Sequence, residues 1–92
     1  MEIGKLRGKQ VITKDAFYVG EISEANKDEE WRITHIQIKL TKGATKAIGF
    51  KKPLLGHVTI CLPVKYVSGL KDVITLNVSR AELEQIPECK SE

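Results

Sequence analysis

Hydrophobic and polar positions alternate along this chain in short runs, and two of the runs slip phase partway. Gln10 to Thr13 predicts a short first strand fed by Gly8-Lys9, and Lys14-Asp15-Ala16 a turn into a second strand from Phe17 to about Ala25. In that strand Phe17 and Val19 share one face and Ile22 falls on the other, with Gly20 between them. An isolated glycine at a change of phase predicts a bulge or sharp bend, the device that carries a strand round the corner of a barrel. Asn26 to Glu30 is charged and predicts an exposed hairpin loop. The third strand, Trp31 to Leu40, slips as well: Trp31 and Ile33 lie in one phase, Ile36, Ile38 and Leu40 in the other, and Thr34-His35 marks the change. Two bent strands predict a curled sheet in place of a flat one.

From Thr41 to Gly56 the period changes. Ala44, Ala47 and Ile48 stand at i, i+3 and i+4 with Gly49 as a left-handed terminator, which predicts one or two helical turns. Phe50, Leu54 and Leu55 bring the chain back to the core, and Pro53 keeps it extended. His57 to Leu62 alternates cleanly, with Val58, Ile60 and Leu62 inward, and Pro63 opens a turn through Val64, Tyr66 and Val67. Ser68-Gly69 and Lys71-Asp72 predict a tight reversal into a fifth strand, Val73 to Val78, whose inward residues are Ile74, Leu76 and Val78. Ser79-Arg80-Ala81-Glu82 has the capping-box form and predicts a short helix with Leu83 and Ile86 on its apolar edge, stopped by Pro87.

Composition agrees with strands: Ile, Val and Thr make up a quarter of the 92 residues. The expectation is one mainly β domain over residues 1–87, with 88–92 as a tail. Neither a run of about 18 apolar residues nor the apolar core of a signal peptide is present, so a cytoplasmic protein without direct membrane insertion is expected. Cys61 and Cys89 show no metal-type spacing, and the expectation is a small core side chain and a tail thiol, with neither disulfide nor zinc.

The net charge of +3 conceals an uneven distribution. Between Trp31 and Lys71 stand Arg32, Lys39, Lys42, Lys46, Lys51, Lys52, Lys65 and Lys71 without a single acid, whereas both ends of the chain are acidic. Lys42, Lys46, Lys51 and Lys52 fall on the excursion between the third and fourth strands and are the candidate partner-binding residues, for an acidic protein surface or for phosphates. A solvated lysine-rich loop is the plainer explanation of the same residues. Against RNA stands the shortage of stacking platforms, because several of Phe17, Tyr18, Trp31, Phe50 and Tyr66 must fill the core. Acidic ends and a basic middle also suit a homodimer, in which a two-fold axis lays one subunit's acidic segment against its mate's basic one.

Catalytic groups are scarce. His35 and His57 have no metal-type spacing, the consecutive acids Asp28, Glu29 and Glu30 diverge, and Gly43, Gly49 and Gly56 fit no phosphate-binding fingerprint. No catalytic, metal or cofactor residue is expected, and the chain reads as a non-enzyme.

Several segments, in order, resemble the PRC-barrel family over about Leu6 to Ile86. They are Leu6-Arg7-Gly8-Lys9-Gln10-Val11-Ile12, Tyr18-Val19-Gly20-Glu21-Ile22, Trp31-Arg32-Ile33-Thr34-His35-Ile36, Leu62-Pro63-Val64-Lys65-Tyr66-Val67 and Asp72-Val73-Ile74-Thr75-Leu76. One departure is Asp15-Ala16, where the family more usually has glycine second, so the turn must manage without glycine's freedom at positive φ. The resemblance implies a small β-barrel of five or six strands, with a helical excursion and a C-terminal helix, acting as an adaptor. Among such proteins the chain is most similar to small stand-alone archaeal members, some of which serve FtsZ-based cell division beside the membrane anchor SepF. A SepF-like division protein is therefore the implied partner. The runner-up, implied by likeness to the C-terminal domain of the ribosome-maturation factor RimM, is a ribosome-maturation or RNA-processing factor binding RNA or a ribosomal protein. Fold alone does not choose between them.

Overall fold

The structure, a computed structural model, describes residues 6–49 and 58–86. Its elements are β1 (Gln10–Ile12), β2 (Tyr18–Lys27), β3 (Ile33–Leu40), α1 (Lys42–Ile48), β4 (Thr59–Pro63), a 3-10 turn (Val64–Tyr66), β5 (Val67–Leu70), β6 (Val73–Leu76) and α2 (Arg80–Leu83). The return through Phe50, Pro53, Leu54 and Leu55, the stop at Pro87 and the tail 88–92 lie outside the described residues.

The six described strands form one sheet in the order β4-β3-β2-β1-β6-β5. Only β1 and β6 run parallel; the other neighbours are antiparallel. This order dictates the curvature. β4 and β5 occupy opposite edges, yet only the three residues of the 3-10 turn separate them in the chain. Three such residues advance about 6 Å, whereas the outer strands of a flat six-stranded sheet stand about 24 Å apart. The sheet must therefore roll up, and it forms a curled half-barrel. No ladder joins β4 to β5; the 3-10 turn spans the two edges of the half-barrel and accepts hydrogen bonds from Asn77, just beyond β6, through the Tyr66 carbonyl at 2.8 Å and the Lys65 carbonyl at 3.0 Å.

Bulges supply the bending. On β2 the partner of β1 jumps from Gly20, opposite Val11, to Tyr18, opposite Ile12, and Val19 is the extra residue. Ser23 is extra between the pairs Ile22–Ile38 and Glu24–Gln37, and Thr34 is extra on β3 between His35 and Ile33. Each extra residue reverses the side-chain phase, which is why Val19, Ile22 and Ala25 can all be buried on one strand. Gly20 allows the tightest approach: a Cβ built there would lie 2.0 Å from the Lys39 carbonyl oxygen.

Inside lie Leu6, Val11, Val19, Ile22, the β3 residues Ile36, Ile38 and Leu40, the β4 residues Ile60 and Leu62, and Ile74 and Leu76 of β6, with the helices contributing Ala44, Ile48 and Leu83. α1 starts at Thr41, whose hydroxyl accepts from the Ala44 amide at 2.9 Å, and stops at Gly49 with φ 95°. α2 has the full capping box: the Ser79 hydroxyl accepts from the Glu82 amide, and the Glu82 carboxylate accepts from the Ser79 amide, each at 3.2 Å.

Three expectations need correction. Trp31 is not in β3, which begins at Ile33; it sits in the loop at φ 65°. Val67–Leu70 is a strand where only a turn was expected, because a bulge at Ser68 leaves it no clean alternation. Cys61 is disulfide-bonded and not a plain core thiol; the chain's other cysteine, Cys89, lies outside the described residues.

Candidate functional site

Of the four candidate lysines, Lys42 and Lys46 are described, and Lys51 and Lys52 lie outside the described residues. Lys42 and Lys46 are both exposed, four residues apart on α1, and so project from one side of the helix. The buried side carries Ala44, Thr45 and Ile48, and the Thr45 hydroxyl is satisfied by donating to the Thr41 carbonyl at 2.8 Å.

A more specific feature lies at the other end of the β2–β3 hairpin. Lys27 and Ile33 are its last pair, and Asp28 to Arg32 form the loop. The Asp28 carboxylate accepts from the Glu30 amide at 2.8 Å and from the Arg32 amide at 3.0 Å, while the Trp31 amide donates to the Asp28 carbonyl at 3.1 Å. An aspartate bonding backbone two and four residues on fixes a tight turn. Closing it requires Trp31 to adopt φ 65°, a conformation costly for a bulky side chain. The indole is left 75% exposed, with the Lys27 ammonium 3.6 Å from its ring centroid and an Arg32–Glu30 ion pair of 2.7 Å beside it. Of the five aromatics, Phe17 and Tyr66 pack against the core, Trp31 and Tyr18 face outward, and Phe50 lies outside the described residues. Alternation with Ile33 disguised Trp31 as a strand residue. The Asp-Glu-Glu run signals the loop, but it is the pairing of Lys27 with Ile33 that extends the loop over five residues to include Trp31 at its left-handed position.

Where β2 and β3 reach α1, the outer face carries a shallow groove of about 280 Å³ lined by Tyr18, Gly20, Glu21, Lys39, Leu40 and Thr41. Glu21 and Lys39 are ladder partners, and neither forms an ion pair among the described residues. Elsewhere the shifted carboxylates are accounted for by the fold. The Thr13 hydroxyl donates to Asp15 and lowers its pKa, Arg7 does the same for Glu24 across a 2.6 Å contact, and the Ser79 amide, with Lys14, lowers that of Glu82.

His35 is exposed, 3.1 Å from the Thr34 hydroxyl, and His57 lies outside the described residues. Among the described residues no three His, Cys, Asp or Glu side chains are grouped to hold a metal, and no helix is long and apolar enough to cross a membrane. The fold and its surface define a small mainly β half-barrel whose most specific features, the Trp31 tip and the groove, lie outside the core. No protein-family model matches the chain, and no curated protein matches it.

Proposed function

We propose that this chain is a non-enzymatic adaptor of the PRC-barrel kind, which binds a protein partner through the hairpin tip around Trp31. The carrying observation is that tip: a tryptophan 75% exposed and held at positive φ by a turn that an aspartate hydrogen-bonds from within. Backbone strain maintained around an exposed aromatic supports binding, because such residues are the commonest anchors of protein interfaces. The three acids beside it argue against a phosphate backbone as the partner. Resemblance to the archaeal members puts the partner among division proteins of the FtsZ and SepF type.

The test is a pulldown from native lysate with the wild-type chain and with Trp31→Ala, both checked for folding by circular dichroism. Capture of a division protein by the wild type and its loss in the variant supports the reading. Recovery of ribosomal particles, equally by both, rejects it. That second outcome would favour the RNA reading, whose specific support is the shared exposed side of Lys42 and Lys46. Binding to ribosomal RNA would then weaken steeply with salt, in proportion to the phosphates contacted.

A further inference from the structure

The tip and the groove stand at opposite ends of the same hairpin and have complementary chemistry. The tip offers one large aromatic side chain, Trp31, with Lys27 over its ring and the exposed acid Glu29 two residues before it in the same loop. The groove offers an aromatic wall in Tyr18, itself 42% exposed, a glycine at Gly20, and two opposite charges, Glu21 and Lys39. At about 280 Å³ it is at or below the small end of small-molecule sites, which run from about 300 to 1,000 Å³. One protruding side chain suits it better than a cofactor. Tyr18 can stack on an indole in the offset or edge-on manner that aromatic pairs prefer.

The charges agree with this match. Glu29 has no ion-pair partner among the described residues, and neither does Lys39, nor Lys42 just beyond the groove on α1. Glu21 is likewise without one, and the tip brings Lys27. A seated tip would set an acid against Lys39 and a base against Glu21. A chain cannot fill its own groove, because β2, ten residues long, holds the two about 30 Å apart at about 3.3 Å per residue.

We propose that the occupant of the groove is the Trp31 tip of a second copy of this chain. The two copies are related by a two-fold axis, so that each tip enters the other's groove. With that symmetry one contact generates the other, and the assembly closes as a dimer without growing into a fibre. The inference rests on the adaptor reading in one respect only, that the Trp31 tip is a binding element.

Sedimentation equilibrium over a wide concentration range tests it, with fluorescence alongside, because Trp31 is the only tryptophan and reports its own burial. The expected result is a monomer–dimer equilibrium whose dimer form emits at shorter wavelength. Trp31→Ala should weaken dimerisation by about thirtyfold or more, as anchor truncations do. Glu29→Lys and Lys39→Glu should each weaken it, and the double variant, which re-pairs the reversed charges, should recover most of the loss. A protein that stays monomeric throughout overturns the proposal. So does a dimer indifferent to Trp31→Ala, or open-ended growth with concentration. If the wild type is monomeric but Trp31→Ala still loses a division partner, the dimer fails and the adaptor reading stands.

Discussion

Replacing Gly20 by alanine tests the curvature of the sheet most directly. The added Cβ would sit 2.0 Å from the Lys39 carbonyl oxygen, 2.9 Å from its carbon and 3.1 Å from the Leu40 Cα. All three are backbone atoms of β3, so no rotamer change relieves the clash, and the two strands must separate locally by more than about an ångström to reach ordinary contact. Overpacking of this kind costs about 1–3 kcal/mol. The separation also strains the adjoining 3.1 Å bond from the Thr41 amide to the Val19 carbonyl, whose net value is about 1 kcal/mol. Against this, alanine restricts the unfolded chain and returns about 0.4–1 kcal/mol. The expected net loss is about 1–3.5 kcal/mol. Gly43→Ala is the internal control, since its Cβ would meet nothing within 4 Å and the residue lies in α1. There the same substitution should stabilise, by about 0.5–1 kcal/mol on helix propensity. Urea unfolding followed by circular dichroism measures both. Gly20→Ala within about 0.5 kcal/mol of wild type, well inside the loss worked out above, would refute the close-approach argument.

Ala16 adopts φ 65° in the turn between β1 and β2. Relief of about 1–2 kcal/mol of left-handed strain, less about 0.5–1 kcal/mol for glycine's greater unfolded freedom, leaves Ala16→Gly more stable by about 0.5–1 kcal/mol in the same assay; a destabilised variant would contradict this. Ser79→Ala should cost about 1 kcal/mol by removing the α2 cap, and in that variant the Glu82 pKa, followed by NMR, should keep most of its depression, because the Ser79 amide and Lys14 remain. Glu82's folded pKa lies below its ordinary value, so its stabilising contribution is complete above the unfolded pKa and disappears as pH falls through the folded one; stability that rose on acidification through that range would be the wrong sign. Because Cys61 is disulfide-bonded, a thiol-alkylating reagent should leave it unmodified until the protein is reduced, and reduction should lower the thermal midpoint; labelling without reductant would count against the bond.

Local pattern revealed much of the fold because local physics controls those parts. The clean alternation of Val58, Ile60 and Leu62 and of Ile74, Leu76 and Val78 corresponds to buried residues throughout. The left-handed stop at Gly49 and the box at Ser79 are short-range backbone chemistry and stand where the residues place them. The phase slips near Gly20 and Thr34 are bulges at Val19 and Thr34. What stayed hidden depends on partners distant in the chain. The Ser23 bulge follows from its register against β3, and β5 exists because β6 pairs with it. The disulfide at Cys61 has no local signature at all. The candidate site was harder still: Lys42 and Lys46 were legible as exposed, but Trp31 alternates with Ile33 as a strand residue would, and only the pairing of Lys27 with Ile33 puts it in the loop.

The energetics of the tip itself do not explain why a tryptophan stands there. Its left-handed backbone costs about 1–2 kcal/mol that glycine would avoid. Among the described residues the ring is met by the Lys27 ammonium, and a cation–π contact at so exposed a site returns only about 0.5–1 kcal/mol. The ring buries little surface in its own chain, so hydrophobic gain does not close the difference. Glycine's greater unfolded freedom takes back about another 0.5–1 kcal/mol, so the isolated domain gains nothing from having tryptophan at residue 31 in place of glycine. The groove presents the converse case, a depression beside an exposed tyrosine with two opposite charges that form no ion pair among the described residues. A residue from which the monomer gains nothing and a groove on its surface both become favourable in a single step if a second molecule brings them together. That is why the binding argument starts from the hairpin tip and not from the lysines of α1, whose exposure is ordinary for a solvated helix.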